Sequence, residues 1–135
     1  MKYILLTLVV GSILSCSVQK TDRTSEFKDS SVENDTIRIA NDSLEYEIII
    51  YEPGFNSWLV TQRPRGFYGQ NYLEQKNMLF VTTYNMRANN PFRYSADLYP
   101  QPINYEFNVD YGYEVNYLLF NYFLFFQEKY RQRLR

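Results

Sequence analysis

The run Tyr117-Leu-Leu-Phe-Asn-Tyr-Phe-Leu-Phe-Phe126 decides the fold, because its side chains are apolar on nearly every side of a helix. Only Asn121 interrupts the run, and the surrounding residues 113–134 predict one aromatic-rich helix. A helix that is apolar all round lies either in a protein core or in lipid. A run of this length rises about 15 Å, whereas a hydrocarbon core is about 30 Å thick, so we expect the helix to be buried in the protein.

The region at the start of the folded part predicts a β-hairpin. Ile37 and Ile39 alternate with polar or small residues, and residues 44–51 alternate between two faces with the period of a strand. Asn41-Asp42-Ser43 lies between the two runs and is typical of a turn. The same alternation of apolar and polar residues predicts a third strand over residues 103–110.

Two helical segments are expected between the hairpin and the third strand. Pro53-Gly54 ends the second strand, residues 55–60 predict a short helical turn, and residues 71–87 predict a longer helix. In the longer helix, apolar residues recur every seven positions at Tyr72, Leu79 and Met86. We therefore expect an α+β fold, with a small antiparallel sheet of two or three strands packed against two helices, the carboxyl-terminal one aromatic-rich and buried.

The amino-acid composition limits the kinds of function that we expect of the chain. The 135 residues carry a formal net charge of -1, which argues against a general electrostatic grip on nucleic acid. The sequence contains no histidine, which removes the commonest metal ligand and the usual general base near neutral pH. It also contains no phosphate-binding glycine motif and no recognisable catalytic signature. The sequence therefore predicts a non-catalytic protein without a cofactor or a metal.

The amino-terminal residues have the pattern of an export signal. Lys2 precedes an apolar run over residues 3–14, and the small residue Ser15 precedes Cys16. The apolar run rises about 18 Å, which is too short for a permanent membrane span. Ile13-Leu14-Ser15-Cys16 resembles the lipobox of bacterial lipoproteins, which implies cleavage before the cysteine and a lipid on its sulfur. The alternative for a lone cysteine in an apolar segment is a small buried hydrophobe.

The chain is expected to have three parts. Residues 1–15 form a lipoprotein signal peptide, residues 16–35 form the lipidated Cys16 and a flexible tether, and residues 36–135 form a single small α+β domain. The expected partner is the lipid bilayer, reached through the acylated Cys16, with an envelope protein or a glycan as a second candidate. Surface-exported Bacteroidetes lipoproteins often carry acidic residues just after the cysteine, and this chain has none there. That comparison implies a periplasm-facing protein, and we expect it on the outer membrane of the bacterial cell envelope.

Aromatic residues near the middle of the chain are candidate ligand contacts. Trp58, with Tyr51, Phe67 and Tyr68, offers apolar ring faces and polar edges of the kind that stack on sugars. The alternative is that these rings fill the core of a domain without a disulfide. The sequence favours this alternative, because large aromatic side chains are mostly buried.

Arg63-Pro64-Arg65-Gly66 places two guanidinium groups on a stiff loop. Arg63 and Arg65 are therefore candidate contacts for a phosphate or carboxylate of an envelope polymer or a lipid headgroup. A solvated pair of loop charges is the alternative, and we favour it. A third and less favoured hypothesis is a carboxylate-based hydrolase. It would use three acidic residues: Glu106, Asp110 and Glu114.

Two short motifs offer sites of modification. Asp35-Thr36-Ile37 and Asp42-Ser43-Leu44 each resemble the acceptor of Bacteroidetes O-glycosylation. Both motifs also fit the ordinary chemistry of a strand start and a turn, and we favour that interpretation.

Four stretches of the sequence together resemble a known family. They are the lipobox at residues 13–16, the run Thr36–Ile50, the turn Pro53–Trp58 and the aromatic end Asn116–Tyr130. Together they resemble a family of short Bacteroidetes lipoproteins of unassigned function, over nearly the whole mature chain. The resemblance implies a location but brings no catalytic or binding residues. The sequence thus predicts a membrane-anchored envelope lipoprotein with an interaction or structural role. The alternative function is a carbohydrate- or peptidoglycan-binding module.

Overall fold

The computed structural model describes residues 35–135, which form an α+β fold. The elements in chain order are β1 (Thr36–Asn41), β2 (Tyr46–Tyr51), α1 (Phe55–Leu59), α2 (Gln70–Ala88) and α3 (Tyr113–Lys129). The predicted signal peptide, Cys16 and the tether as far as residue 34 lie outside the described residues. Within residues 35–135, no helix is both long enough and apolar enough to cross a membrane.

Helix α3 lies at the centre of the core and confirms the predicted buried, aromatic-rich helix. Ten of its 17 side chains are buried, and Phe123 is completely inaccessible. Helices α1 and α2 and strand β1 all pack against it. The buried Asn116 of α3 is hydrogen-bonded: its Oδ1 accepts from Tyr105 Oη at 2.7 Å and from Asn77 Nδ2 at 3.0 Å. Because these bonds replace those that water would make, α3 can be buried on almost every side.

The predicted hairpin is confirmed as a two-stranded antiparallel sheet. Thr36 lies opposite Tyr51, and Asn41 lies opposite Tyr46. A 3-10 turn connects the strands, and Asn41 Oδ1 accepts a hydrogen bond from Ser43 N at 3.0 Å. Thr36 is the first residue of β1 and Ser43 lies in the 3-10 turn, so both occupy a strand start and a turn as predicted, and their glycosylation stays a prediction.

The turn after β2 also follows the sequence prediction. Gly54 has φ 88°, a left-handed conformation that glycine adopts without steric strain. It lies directly before α1, which is the predicted short helical turn and contains Trp58. The Gly54 conformation thereby reverses the chain from the end of β2 onto α3.

The predicted third strand is wrong, because residues 103–110 form no strand. Side chains take the main-chain hydrogen bonds that a neighbouring strand would make. Asn85 Oδ1 accepts from Ile103 N at 2.8 Å, and Asn85 Nδ2 donates to Ile103 O at 2.8 Å. Glu106 N donates to Tyr111 Oη at 2.9 Å. The alternating apolar pattern therefore does not report a strand here: Ile103 and Tyr105 are buried, whereas Phe107 is 56% exposed.

The end of α3 also differs from the prediction of a helix to residue 134. The helix ends at Lys129, and Arg131 has φ 52°, which turns the chain out of the helical direction. Leu134 is then buried, and its N–H donates to Gln127 Oε1 at 2.9 Å. The residues after α3 thus pack against the rest of the domain. No local sequence pattern predicts this contact.

Helix α2 confirms the predicted helix over residues 71–87, with one additional residue at each end. Leu73 and Val81 are buried. The residues that recur every seven positions lie on the opposite, exposed side of α2: Tyr72, Leu79 and Met86.

Candidate functional site

The loop between α1 and α2 is held against α3 by tyrosine hydroxyls. Gly66 N donates to Tyr113 Oη at 2.7 Å, and Tyr113 Oη donates to Tyr68 O at 3.2 Å. Tyr117 Oη donates to Arg63 O at 3.0 Å. These contacts fix the loop main chain, so the predicted candidates Arg63, Arg65 and Tyr68 have defined positions.

The two predicted arginines have different partners. Arg65 Nε donates to Glu114 Oε2 at 2.7 Å, and its Nη2 donates to Glu114 Oε1 at 2.5 Å. These hydrogen bonds raise the pKa of Arg65, and its guanidinium also lies 4.5 Å from the centre of the Tyr117 ring. Arg63 instead lies 4.6 Å from the centre of the Phe67 ring. Since Arg65 already binds a carboxylate, the two arginines do not form one open anion-binding fork.

The predicted aromatic residues divide into separate contact sets. Trp58 Nε1 donates to Glu128 Oε2 at 3.0 Å, and its ring lies 5.3 Å from that of Phe125. Tyr68 instead lies 5.4 Å from Phe120, on another side of α3 because five residues correspond to about 500° of helical rotation. The structure therefore brings Tyr68 next to Phe67 but places Trp58 with other partners. Tyr51, the fourth member of the predicted platform, is exposed at the end of β2.

Tyr68 belongs to a row of three rings on the surface. The Phe67 and Tyr68 rings meet edge to face at 4.7 Å, and the Tyr68 and Tyr72 rings stack at 4.9 Å. Phe67 is 54% exposed and Tyr72 is 42% exposed. Arg63 lies over the first ring and Lys76 lies 5.6 Å from the centre of the last. This row, called the aromatic row below, leads directly onto the exposed side of α2.

The exposed side of α2 carries no charge along its centre. We call it the α2 face, and its members are Tyr72, Gln75, Leu79, Thr82 and Met86. Leu79 is 50% exposed and Met86 is 56% exposed. A solvent-facing helix side normally carries charged residues, so an uncharged one with three large apolar side chains is a candidate contact surface. The seven-residue spacing is the sequence signal for this face, but spacing alone does not say whether the stripe faces the core or water.

The predicted acidic residues are also separated. Glu114 binds the loop arginine, whereas Asp110 Oδ1 accepts from Gln70 Nε2 at 2.7 Å. The same Gln70 Nε2 donates to Glu74 Oε1 at 2.8 Å. The structure therefore links Asp110 to Glu74, which the sequence did not single out, while Glu106 is exposed. A carboxylate-based hydrolase remains a prediction, and its best-placed acids are now Asp110 and Glu74.

A buried carboxylate joins β2 to the end of α3. Glu52 is 6% exposed, and its Oε1 accepts from Lys129 Nζ at 2.5 Å and from Tyr130 Oη at 2.9 Å. Burial alone would lower the pKa of Lys129, but the hydrogen bond and the charge of Glu52 outweigh it and raise that pKa. The arrangement is typical of a structural ion pair that anchors the sheet.

Comparison with known proteins assigns the chain to a family. Residues 3–135 match the model of a family of unknown function, DUF6146, and the chain belongs to that family. No curated protein and no solved structure matches the chain.

Proposed function

We propose that this member of a family of unknown function is a lipid-anchored protein of the bacterial cell envelope. Its folded body contacts another envelope protein through the α2 face and has no catalytic role. The lipobox-like end at Cys16 supports the anchor, and its lack of a following acidic run supports an outer-membrane location facing the periplasm. Acyl chains on one cysteine hold a protein durably on a bilayer, since each buried methylene contributes about 0.8 kcal/mol.

The observation that supports the proposed interaction role is the uncharged, exposed α2 face. Its apolar members Tyr72, Leu79 and Met86 lie in line over 14 residues, which corresponds to about 21 Å of helix. Anchors at such spacings are those that a helix presents when it lies in the apolar groove of a partner. The partner we propose is therefore a protein with a groove about four helical turns long.

A protein partner fits this face better than the bilayer surface does. Helices that lie in a membrane interface have a strongly charged polar side opposite the apolar one. The side of α2 opposite the α2 face is buried against α3, so it is not a charged side that faces water. Cations border the α2 face at both ends, with Lys76 beside Tyr72 and with Arg87 and Arg135 near Met86. The α2 face therefore has no strongly charged polar side opposite it of the kind that a helix in a membrane interface presents.

Site-specific crosslinking in intact cells tests the interaction. A photoreactive phenylalanine analogue replaces Leu79 in one strain and Phe92 in a matched control, since Phe92 is fully exposed outside the α2 face. We expect a discrete protein adduct from position 79 that is absent from position 92 and is lost when Met86→Lys is added. Identical adducts from both positions, or none from position 79, would contradict the interaction role.

The anchor has its own test, which is independent of the partner. Cys16→Ser should release the protein from the membrane fraction, and mass spectrometry of the unaltered protein should find acyl groups on Cys16. A serine variant that stays with the membrane as firmly as before, together with an unacylated cysteine, would refute the anchor.

A second candidate function is glycan binding at the aromatic row. It is favoured by the exposed rings of Phe67 and Tyr72, which offer stacking surface beside the cation Arg63. Soluble peptidoglycan fragments should then bind the protein, and Tyr72→Ala should weaken that binding while Met86→Ala leaves it unchanged. Equal binding by both variants would exclude the aromatic row as the glycan site.

A further inference from the structure

Among residues 35–135, one edge of strand β2 is unpaired and presents a defined set of main-chain groups. Glu52 N donates to Asp35 O at 2.6 Å, which continues the register of the hairpin. Main-chain bonds alternate along an antiparallel pair, so Glu47, Ile49 and Tyr51 direct their N–H and C=O groups away from β1. Within residues 35–135, no hydrogen bond engages those main-chain groups. This edge therefore presents the donor and acceptor pattern that another strand would satisfy.

A cavity lies directly beside this edge. It has a volume of about 480 Å³ and is bordered by residues 47–51 of β2, by the following Glu52 and by the irregular segment 97–104. Its remaining wall consists of aromatic side chains from α2, α3 and the tail: Tyr84, Tyr122, Phe126 and Tyr130. The volume falls within the range of about 300–1,000 Å³ that is typical of ligand sites. We call this cavity with its strand edge the β2 slot.

The β2 slot exists because α3 covers β1 but not β2. Ile37 and Ile39 on β1 are buried against the core, whereas their partners Ile50 and Ile48 on β2 are only partly buried. At one end, Tyr46 Oη donates to Asn104 O at 2.6 Å and joins the strand to the opposite wall. The slot thus has an apolar strand face, an open main-chain edge and a closed end.

We propose that the β2 slot binds an extended peptide segment of a partner protein, which adds to β2 as a third strand. Its main chain pairs with Glu47, Ile49 and Tyr51, and alternate side chains enter the cavity beside Ile48 and Ile50. Main-chain pairing gives affinity in such complexes, and side-chain pockets give specificity. This inference goes beyond the proposed function and does not depend on the α2 face.

The charges around the slot restrict the chemistry of the peptide. Glu47 is paired with Arg38, Glu52 is paired with Lys129, and Asp97 is exposed at the rim without an ion pair among the described residues. A carboxylate on the peptide would therefore meet negative charge, and the part of the chain that the structure describes places no unpaired cation among the residues that line the slot. The segment that fits is neutral or basic, with small or medium apolar residues at alternate positions.

One substitution should weaken strand addition at the open edge of β2 and still keep the pairing between β1 and β2. Ile49 N points away from β1, so Ile49→Pro deletes an outward donor without deleting a bond to β1. Ile49→Ala is the matched control, because it shortens the same side chain and keeps the N–H. Circular dichroism of both variants establishes that the hairpin and helices persist.

Peptide selection tests the proposal although the partner protein is unidentified. A displayed library of random decapeptides is panned on the full chain in detergent micelles, with Ile49→Pro as the counter-selection. We expect enriched peptides with apolar residues at alternate positions and no acidic residues between them. Calorimetry with one synthetic enriched peptide should show binding weakened about tenfold or more by Ile49→Pro and less than about threefold by Ile49→Ala.

A second measurement leaves the protein unchanged and so does not depend on how a variant folds. Methylation of alternate peptide nitrogens, in the register that faces β2, should abolish binding, whereas methylation in the other register should not. The proposal is overturned if no peptide is enriched, or if Ile49→Pro and both methylated peptides bind as tightly as their parents. It is also overturned if the unaltered protein is a dimer that Ile49→Pro converts to a monomer, because the edge would then be occupied by a second copy.

Discussion

Alkaline pH should destabilise this protein steeply, because several tyrosine hydroxyls are buried. Tyr84, Tyr105 and Tyr122 are 3%, 8% and 4% exposed. Burial raises the pKa of Tyr84 and of Tyr105 to about 12, and it raises the pKa of Tyr122 further still. The cause is the same in each case, since a phenolate in the core would lose its hydration.

The sign of the effect follows from proton linkage. A tyrosine in the unfolded chain loses its proton near pH 10, whereas the buried hydroxyl keeps it, so the free energy of unfolding falls as the pH rises above 10. At pH 11, one unit above the unfolded value, each such tyrosine removes about 1.4 kcal/mol. Three of them remove about 4 kcal/mol, a large share of the roughly 5–15 kcal/mol that a domain of this kind has.

Urea unfolding at pH 8 and pH 11, followed by circular dichroism, measures this loss. Tyr122→Phe should reduce the difference between the two pH values by about 1.4 kcal/mol, because the variant has one fewer buried group to titrate. Tyr51→Phe is the matched control, since Tyr51 is 63% exposed and should leave the difference unchanged. Equal stability at the two pH values, or an equal effect of the two variants, would refute the argument.

Three substitutions probe the core, the buried polar network and the loop contact by the same urea assay. Phe123→Ala should lower the free energy of unfolding by about 3–5 kcal/mol, because it empties a fully buried site on α3. Leu79→Ala, on the exposed α2 face, should change it by less than about 0.5 kcal/mol. Similar losses from the two variants would contradict the assigned burial. Asn116→Ala should lower the free energy of unfolding by about 2–3 kcal/mol, since it leaves buried hydrogen-bonding groups without a partner. A neutral result would show that water replaces the amide. Glu114→Ala should cost at most about 1 kcal/mol, because its pair with Arg65 is about half exposed, and a loss above about 2 kcal/mol would mean that this contact orders the whole loop.

Much of the fold could be predicted from local sequence patterns. Two-residue alternation identified the hairpin of β1 and β2, because that period is the period of a strand. The aromatic run identified α3 as buried, because it is apolar on nearly every side of the helix and too short to span a bilayer. Alternation failed at residues 103–110, since the pattern does not identify the hydrogen-bonding partner of the main chain, and Phe107 in the apolar register is exposed. The side chain of Asn85, distant in sequence, takes the place of a neighbouring strand there.

The sequence determined the residue types available to a site but not their grouping. The sequence identified Arg63, Arg65, Tyr68 and Trp58 as candidate ligand contacts. In the folded protein, Arg65 is hydrogen-bonded to Glu114, and Trp58 is hydrogen-bonded to Glu128. Those pairings depend on which residues of α3 face the loop, a property of the packed structure.

By itself, the sequence determined the α+β class, the hairpin, the buried final helix and the amino-terminal pattern from which an anchor is predicted. Only the tertiary structure decided which side of α2 meets water and which edge of the sheet stays open. The physical reason is that periodicity fixes relative positions along one element, whereas exposure depends on what the rest of the chain covers. Helix α3 covers one side of α2 and strand β1, and it leaves the α2 face and the β2 slot uncovered.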